Sequence, residues 1–225
     1  MLTLALDTST RTGSIALGDG REVLAERALQ VRANQSETVL PAIADLLRLQ
    51  GRRPAELQAV VVGSGPGSFT GVRIAASLAK GIAFATGARL FAYSSLTALA
   101  AGSGHTGRVC AVIDARRGQV YAAGYEVSPG GVQQMFAPVA VPVRELPSLI
   151  RPPAAWVLAG LVPAGVEEIV RGAGARRLPG PVAAPNAASL LWLSRVMPER
   201  GHIEVPATWE PEYVRLPAAQ RASTT

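Results

Sequence analysis

The sequence predicts an α/β protein of two lobes, each with a mixed β-sheet and flanking helices. Short runs with strand patterning alternate with segments whose apolar residues recur at helical spacing. One pattern occurs twice: a strand ends in an aspartate, a turn follows, and a second strand returns, first at Asp7 and again at Asp114. We place the N-terminal lobe at 1–103 and the C-terminal lobe at 104–225, with the glycine-rich passage 101–107 as their junction.

The first lobe begins with a predicted antiparallel meander, because two turn signals separate three short strand patterns. Helical apolar spacing follows, and Asn34 or Ser36 is a suitable cap for that helix. A short buried strand, a long helix, another strand and a short helix complete the lobe. The strands are predicted over 2–6, 14–17, 22–26, 59–62 and 90–93, and the helices over 36–49, 71–86 and 94–101.

The second lobe repeats the opening order of the first. Its strands are predicted over 109–115, 119–127, 132–141 and 156–160, and its helices over 163–171 and 186–197. Asn186 is the predicted cap of the last helix. The stretch 211–215 is predicted as an edge strand, and we expect the last residues to return toward the N-terminal lobe.

Composition restricts the function classes. The chain has 225 residues, of which 48% are hydrophobic, so a well-filled core is expected. Its net charge of +6 permits contact with RNA or an acidic partner without requiring either. A single cysteine and two separated histidines argue against a disulfide framework and a zinc site. No apolar run approaches the ~20 residues that cross a bilayer, so a cytoplasmic protein without membrane contact is expected.

A glycine-rich turn, G-S-G-P-G-S-F-T-G-V-R (63–73), joins a predicted strand to the helix over 71–86. Neither common phosphate motif fits, because Thr70 stands where each motif needs glycine and no lysine follows it. Two interpretations stay open. The turn either presents amides to an anion at the helix start, or simply packs tightly. The candidate nucleotide or anion contacts in the turn are Gly65, Gly67, Ser68, Thr70 and Gly71.

The duplicated aspartates add three candidates to this set. Two hairpins that face each other across a cleft are how actin-like ATPases hold phosphates and magnesium, whereas a lone aspartate at a strand end usually bonds its own turn. Asp7, Ser9 and Asp114 are therefore candidate nucleotide contacts. They also motivate a rival function, a stand-alone ATP-dependent enzyme or hydrolase that uses the cleft around Asp7 and Asp114.

The helix over 71–86 carries small residues every four positions, so another helix can approach it closely. One interpretation is that the helix over 36–49 packs there, within the lobe. The other is that the two helices together form a surface for a partner subunit. The predicted partner interface comprises Val39, Leu40, Ile43, Leu47, Ala75, Ala76, Ala79 and Ala83.

Three stretches together carry a family resemblance. L-A-L-D-T-S-T-R-T-G-S-I-A-L, G-P-G-S-F-T-G-V-R-I-A-A-S-L-A-K-G-I-A and I-D-A-R-R-G-Q-V-Y resemble the bacterial TsaB (YeaZ) family of the actin-like ATPase and glycoprotease superfamily. P-N-A-A-S-L-L-W-L and P-E-Y-V-R-L-P-A-A also match, so the resemblance runs from about Leu2 to Ala219. It implies an actin-like (ASKHA, RNase H-like) fold.

The resemblance also implies a function. TsaB proteins are non-catalytic partners of TsaD, which forms N6-threonylcarbamoyladenosine next to the anticodon of tRNA, and the ATPase TsaE completes the assembly. The resemblance implies that helices 36–49 and 71–86 bind TsaD or a second copy, and that tRNA is contacted only indirectly. No catalytic residue and no metal site are expected here, because TsaD-type proteins use a helix histidine pair, while this segment has none and carries Gln35 where many members have histidine. This chain should require no cofactor, and ATP or ADP is expected only at the junction with TsaD.

Overall fold

The structure is a computed structural model that describes residues 1–30, 35–160, 165–178 and 184–214, without the side chains of 35–37. The predicted caps Asn34 and Ser36 therefore lie outside the described residues and side chains. The strands are β1 Leu2–Asp7, β2 Thr12–Asp19, β3 Glu22–Gln30, β4 Ala59–Gly63, β5 Arg89–Tyr93, β6 Gly107–Arg116, β7 Gln119–Ser128, β8 Gly131–Pro142, β9 Val157–Ala159, β10 Arg176–Arg177 and β11 His202–Ile203. The helices are α1 Gln35–Leu49, α2 Phe69–Thr86, α3 Ser95–Ala101, α4 Leu146–Leu149, α5 Val166–Gly172, α6 Ala187–Val196 and α7 Pro198–Gly201.

Two mixed sheets organise the chain. The first has the order β11-β5-β4-β1-β2-β3, in which β1, β4 and β5 run parallel and the meander β1–β2–β3 runs antiparallel. The second has the order β10-β9-β6-β7-β8, with the same antiparallel meander in β6–β7–β8 and parallel β6, β9 and β10. The predicted α/β class with two mixed sheets and flanking helices is confirmed.

Helices lie on both faces of each sheet, so three layers of helices and two sheets make five layers in all. One face of the first sheet packs on α1 and α2 through residues such as Leu4, Leu6 and Val60. Its other face shares a core with α3, α6 and the inner face of the second sheet. The outer face of the second sheet packs on α4 and α5. This arrangement places the ends of β1 and β4 and the start of α3 beside one another.

The ends of the long helices follow local rules. Ser68 caps α2, because its Oγ accepts a hydrogen bond from the Gly71 amide at 3.3 Å. Gly87 adopts a left-handed conformation with φ 72° and ends that helix. The predicted cap of α6 is confirmed, since Asn186 Oδ1 accepts from the Ser189 amide at 2.7 Å.

Two predictions about the second half are corrected or left open. The described residues 211–214 form no strand, so the edge strand predicted over 211–215 is wrong for them. The short strand β11 pairs with β5 instead, and this sheet edge is built from a segment near the C-terminus. The lobe boundary after residue 103 stays a prediction. No helix among the described residues is long and apolar enough to span a membrane.

Candidate functional site

Asp7 is the most deeply buried carboxylate among the candidate residues, with no solvent exposure. Its Oδ1 accepts hydrogen bonds from the backbone amide of Ser9 at 2.8 Å and from Ser9 Oγ at 2.6 Å. Its Oδ2 accepts one from Ser95 Oγ at 2.6 Å. Both oxygens are therefore committed to groups of the protein itself.

The surroundings of Asp7 explain its electrostatics. Burial raises the pKa of the Asp7 carboxyl, and the hydrogen bonds from Ser9 and Ser95 offset part of that increase. Gly63, at the end of β4, lies so close that a Cβ there would be 1.8 Å from Asp7 Oδ2. Only glycine leaves room for the carboxylate at this point, so Gly63 makes the buried position available.

Ser95 connects this carboxylate to the glycine-rich turn and to the second sheet. The Ser95 amide donates to the carbonyl of Gly65 at 2.6 Å, and Ser95 Oγ accepts from the Gly65 amide at 3.2 Å. Two residues further along α3, Thr97 Oγ1 donates to the Tyr125 hydroxyl in β7 at 3.0 Å. The helix thus fixes the turn relative to both sheets.

Three amides of the turn bond to the protein itself. The Gly65 amide is bonded to Ser95, the Ser68 amide donates to the Ser9 carbonyl at 2.6 Å, and the Gly71 amide donates to Ser68 Oγ. Those three groups are not available to an anion in this conformation. For these three amides the geometry favours the tight-packing interpretation of the turn over the phosphate-binding one.

Two more glycines accommodate the turn that follows β1. A Cβ at Gly67 would be 2.2 Å from the Ser9 carbonyl oxygen, and one at Gly71 would be 2.0 Å from the carbonyl oxygen of Thr8. Thr8 Oγ1 also donates to the Gly71 carbonyl at 2.6 Å. The glycines at these positions are explained by the close approach of two backbone segments, with no need for a ligand.

The two aspartates of the duplicated pattern differ in their environments. Asp114 is exposed, and its Oδ1 accepts from the Arg116 amide at 2.7 Å within its own turn. Arg116 and Arg117 follow in left-handed conformations, with φ 63° and 54°. No hydrogen bond joins Asp7 to Asp114 in the described part of the chain. Thr70 is exposed at the start of α2, while Ser9 is buried with Asp7.

Most of the side chains predicted at the partner interface are buried within this chain. All of the buried ones except Ala76 lie in the core between the first sheet and the two helices. Seven of the eight have at most 4% exposure. These are Val39, Ile43, Leu47, Ala75, Ala76, Ala79 and Ala83. Leu40, at 49% exposure, is the one candidate of that set on the surface.

The opposite face of α2 is exposed and partly apolar. Phe84 is 93% exposed and Phe69 is 41% exposed. A groove of about 370 Å³ runs along the helix from Phe69, lined by Phe69, Thr70, Arg73, Ile74, Ser77 and Leu78. Sequence reasoning missed this face, although large aromatic side chains off the alanine stripe were a signal for it. An exposed aromatic surface of this kind suits a protein partner.

Comparisons with known proteins agree on one relationship. The family model of TsaD, tRNA N6-adenosine threonylcarbamoyltransferase, matches residues 23–159. The tRNA threonylcarbamoyladenosine biosynthesis protein TsaB of Bacillus subtilis (strain 168) is 41% identical over 136 residues, which are 60% of this chain. TsaB of Escherichia coli (strain K12) is 38% identical over 59% of this chain. The matches span 59% and 58% of the lengths of these two curated relatives.

A solved relative extends the similarity to almost the whole chain. The structure of YeaZ from Pseudomonas aeruginosa matches with a TM-score of 0.76 at 32% sequence identity. The match covers 94% of this chain and 99% of that one. Since identity of this level persists over nearly the full length of both molecules, the chain belongs to the TsaB (YeaZ) family and has its actin-like fold.

Proposed function

We propose that this chain is the non-catalytic partner subunit of TsaD in the formation of N6-threonylcarbamoyladenosine in tRNA, next to the anticodon, in the cytoplasm. The names of the TsaB relatives support the pathway. The observation that supports a non-catalytic role is that both carboxylate oxygens of Asp7 are hydrogen-bonded to groups of the protein. A carboxylate that already accepts three hydrogen bonds and has no exposure is poorly placed to hold a hydrated metal ion or a phosphate.

The exposed face of α2 is the proposed contact for TsaD. Phe84, Phe69 and Leu40 place large apolar side chains on the surface of the two helices. Arg73 adds a positive charge on the same face of α2. An apolar surface with few charges is what a stable subunit contact requires, since burying it is the main source of association free energy. TsaE would join the assembly, a second copy of this chain would compete for the same face, and tRNA would contact the complex chiefly through TsaD.

The proposal requires no cofactor bound by this chain alone. If ATP or ADP is present, it would lie at the junction with TsaD, where Thr70, exposed at the start of α2, is an accessible member of the predicted contact set. Asp7 and Ser9 would not contact such a nucleotide; they would affect its binding only by fixing the shape of the glycine-rich turn.

Reconstitution tests the proposal. Purified TsaD, TsaE, tRNA and the enzyme that makes threonylcarbamoyl-adenylate are combined with or without this chain, and the modified nucleoside is measured by mass spectrometry. We expect product only when this chain is present. Phe84→Ala should reduce both product and TsaD binding, while Ile169→Ala, an exposed apolar side chain on α5, serves as the matched control.

Two results would contradict the proposal. Equal product without this chain would exclude the partner role. Sustained ATP turnover by the isolated chain, lost in Asp7→Asn, would instead support the stand-alone enzyme that the two aspartates motivated.

A further inference from the structure

A segment near the C-terminus runs along α2 and is named here the strap, residues 205–214. Lys80, the only lysine in the sequence, holds its middle. Lys80 Nζ donates to the Trp209 carbonyl at 2.9 Å and lies 3.8 Å from the Glu210 carboxylate. The Trp209 side chain packs against the core formed by the first sheet, α1 and α2. The strap is therefore attached to the helix by an ammonium group and an aromatic ring.

The strap continues from there to the glycine-rich turn. The Glu212 amide donates to the Ser64 carbonyl at 3.2 Å, and the Glu212 carbonyl oxygen lies 3.3 Å from where a Cβ on Gly65 would be. Burial raises the pKa of Tyr125 in β7 to about 12, and the nearby charge of Glu212 adds to the rise. Glu212 thus attaches the strap to the turn that follows β4.

The strap ends, within the described chain, against the first residue of α2. The Tyr213 and Phe69 rings lie 5.4 Å apart with an interplanar angle of 41°. The guanidinium of Arg73, one turn along the helix, lies 4.9 Å from the centre of the Phe69 ring. Phe69 is held by an aromatic contact and by a cation–π contact while it stays 41% exposed.

We propose that the strap is a working part of the TsaD-docking surface, and that Tyr213 is the residue that positions Phe69 and Arg73 for that contact. The proposal rests on the docking function proposed above. An exposed phenylalanine at a helix start would otherwise sample several rotamers, and ordering it upon binding would weaken the complex. Tyr213 supplies that order in the free subunit.

The chemistry of the surface specifies what it binds. Phe69, Ile74 and Leu78 give the groove an apolar floor, and Arg73 places one cation at its side. The complementary partner surface would be an apolar helix face with an acidic side chain opposite Arg73. A stretch of TsaD with those properties is the occupant that the proposal commits to.

Two substitutions at one position test the role of Tyr213. Its hydroxyl is buried and finds no hydrogen-bond partner among the described residues, so Tyr213→Phe keeps the ring contact and loses little else. Tyr213→Ala removes the contact. We expect Tyr213→Ala to weaken the TsaD complex roughly three- to tenfold, the cost of ordering one side chain on binding, and Tyr213→Phe to bind as the wild type does. Lys80→Met, which releases the middle of the strap, should weaken the complex similarly.

Hydrogen exchange separates positioning from general destabilisation. In the free subunit, Tyr213→Ala should accelerate amide exchange in the first turns of α2, and Tyr213→Phe should not. Val170→Ala, a core substitution under α5, is the control for a lower melting temperature without a change at α2. It should leave TsaD affinity unchanged.

The outcomes separate cleanly. Wild-type affinity in Tyr213→Ala, or tighter binding, would overturn the proposal, since the strap would then be irrelevant to docking or would oppose it. A wild-type chain that fails to bind TsaD would refute the proposed function instead. Weaker binding in Tyr213→Ala and Lys80→Met, with Tyr213→Phe and Val170→Ala unaffected, is the supporting result.

Discussion

Replacement of Asp7 by alanine and by asparagine tests whether the buried carboxylate serves the fold as a hydrogen-bond acceptor. If it does, Asp7 stabilises the folded chain by accepting hydrogen bonds from Ser9 and Ser95. Alanine removes every acceptor, whereas asparagine keeps the shape and one oxygen. Its amide can also donate to Ser95 Oγ, which has a second lone pair beside the bond from Gly65.

The magnitudes differ because the site is dry. In Asp7→Ala three donors lose their acceptor in a position with no exposure. Each buried unsatisfied group costs about 1–3 kcal/mol, but hydroxyls rotate to other partners, so we expect a total of about 3 kcal/mol. For a chain of this size that corresponds to a decrease of ~6–12 °C in melting temperature. Asp7→Asn should stay within about 1 kcal/mol of the wild type near neutral pH.

The pH dependence has a definite sign. Burial raises the folded-state pKa of Asp7 above its ordinary value of 3.8. Folding therefore favours the protonated carboxyl, and the contribution of Asp7 is fully present below pH 3.8 and lost as pH rises through the folded pKa. The asparagine side chain of the Asp7→Asn variant does not titrate. The free energy of unfolding of the wild type, minus that of Asp7→Asn, should therefore decrease as pH rises from about 4 toward neutrality.

Urea denaturation followed by circular dichroism, at several pH values from about 4 to about 8, measures these free energies for the three proteins. The reasoning fails if Asp7→Ala is as stable as the wild type, or if Asp7→Asn is as damaging as Asp7→Ala. It also fails if the wild type gains stability relative to Asp7→Asn as pH rises. That last result would mean that the ionised carboxylate is the favoured form in the folded protein.

Three further predictions concern the turns and the exposed helix face. Gly71→Ala should destabilise the fold by about 1–3 kcal/mol or more, since its Cβ would overlap the Thr8 carbonyl. Gly81→Ala, in open space on the same helix, should stabilise the fold by about 0.5–1 kcal/mol. Thermal melts compare the two variants. Phe84→Ala should leave the free energy of unfolding within about 0.5 kcal/mol, because the ring is 93% exposed, yet calorimetry should show weaker TsaD binding. Asp114→Asn keeps the acceptor for its own turn, so melts and reconstituted tRNA modification should both match the wild type.

Periodicity predicted the elements well because local patterning reports burial. The helix over 36–49 was predicted from apolar spacing alone and is found as α1, and the long helix after the glycine-rich turn begins two residues before its predicted start. The edge strand at the C-terminus was misplaced, because β11 has only two residues and no pattern distinguishes it. Its pairing depends on where the chain returns in space, which sequence spacing does not encode.

The alanine stripe shows what small residues at helical spacing can and cannot predict. Small residues every four positions indicate that something approaches the helix closely, but they do not say what does. In α2 the close neighbours of Ala75 and Ala79 belong to the chain's own lobe. Phe84, 93% exposed on the other side of the helix, points to a partner more directly, since little of its ring is buried within the chain.

The sequence predicted which residues belong to the candidate site, but not how their side chains are placed. The repeated strand, aspartate and turn placed Asp7 and Asp114 in equivalent hairpins, yet one carboxylate is fully buried and the other is exposed. The difference arises from distant residues: Gly63 leaves the space that Asp7 occupies, and Ser95 supplies a donor from 88 positions away. No such neighbours meet Asp114 within the described chain, where its hydrogen bond is to its own turn.

The hydrogen bonds under the glycine-rich turn hold it in one shape. Ser9 and Ser95 donate to the Asp7 carboxylate, and Ser9, Ser68 and Ser95 bond to amides or carbonyls of the turn. The turn is thereby fixed without a ligand, and with it the start of α2. Because the proposed docking face begins at Phe69, the first residue of that helix, the polar network under the turn sets the position of the surface that meets the partner.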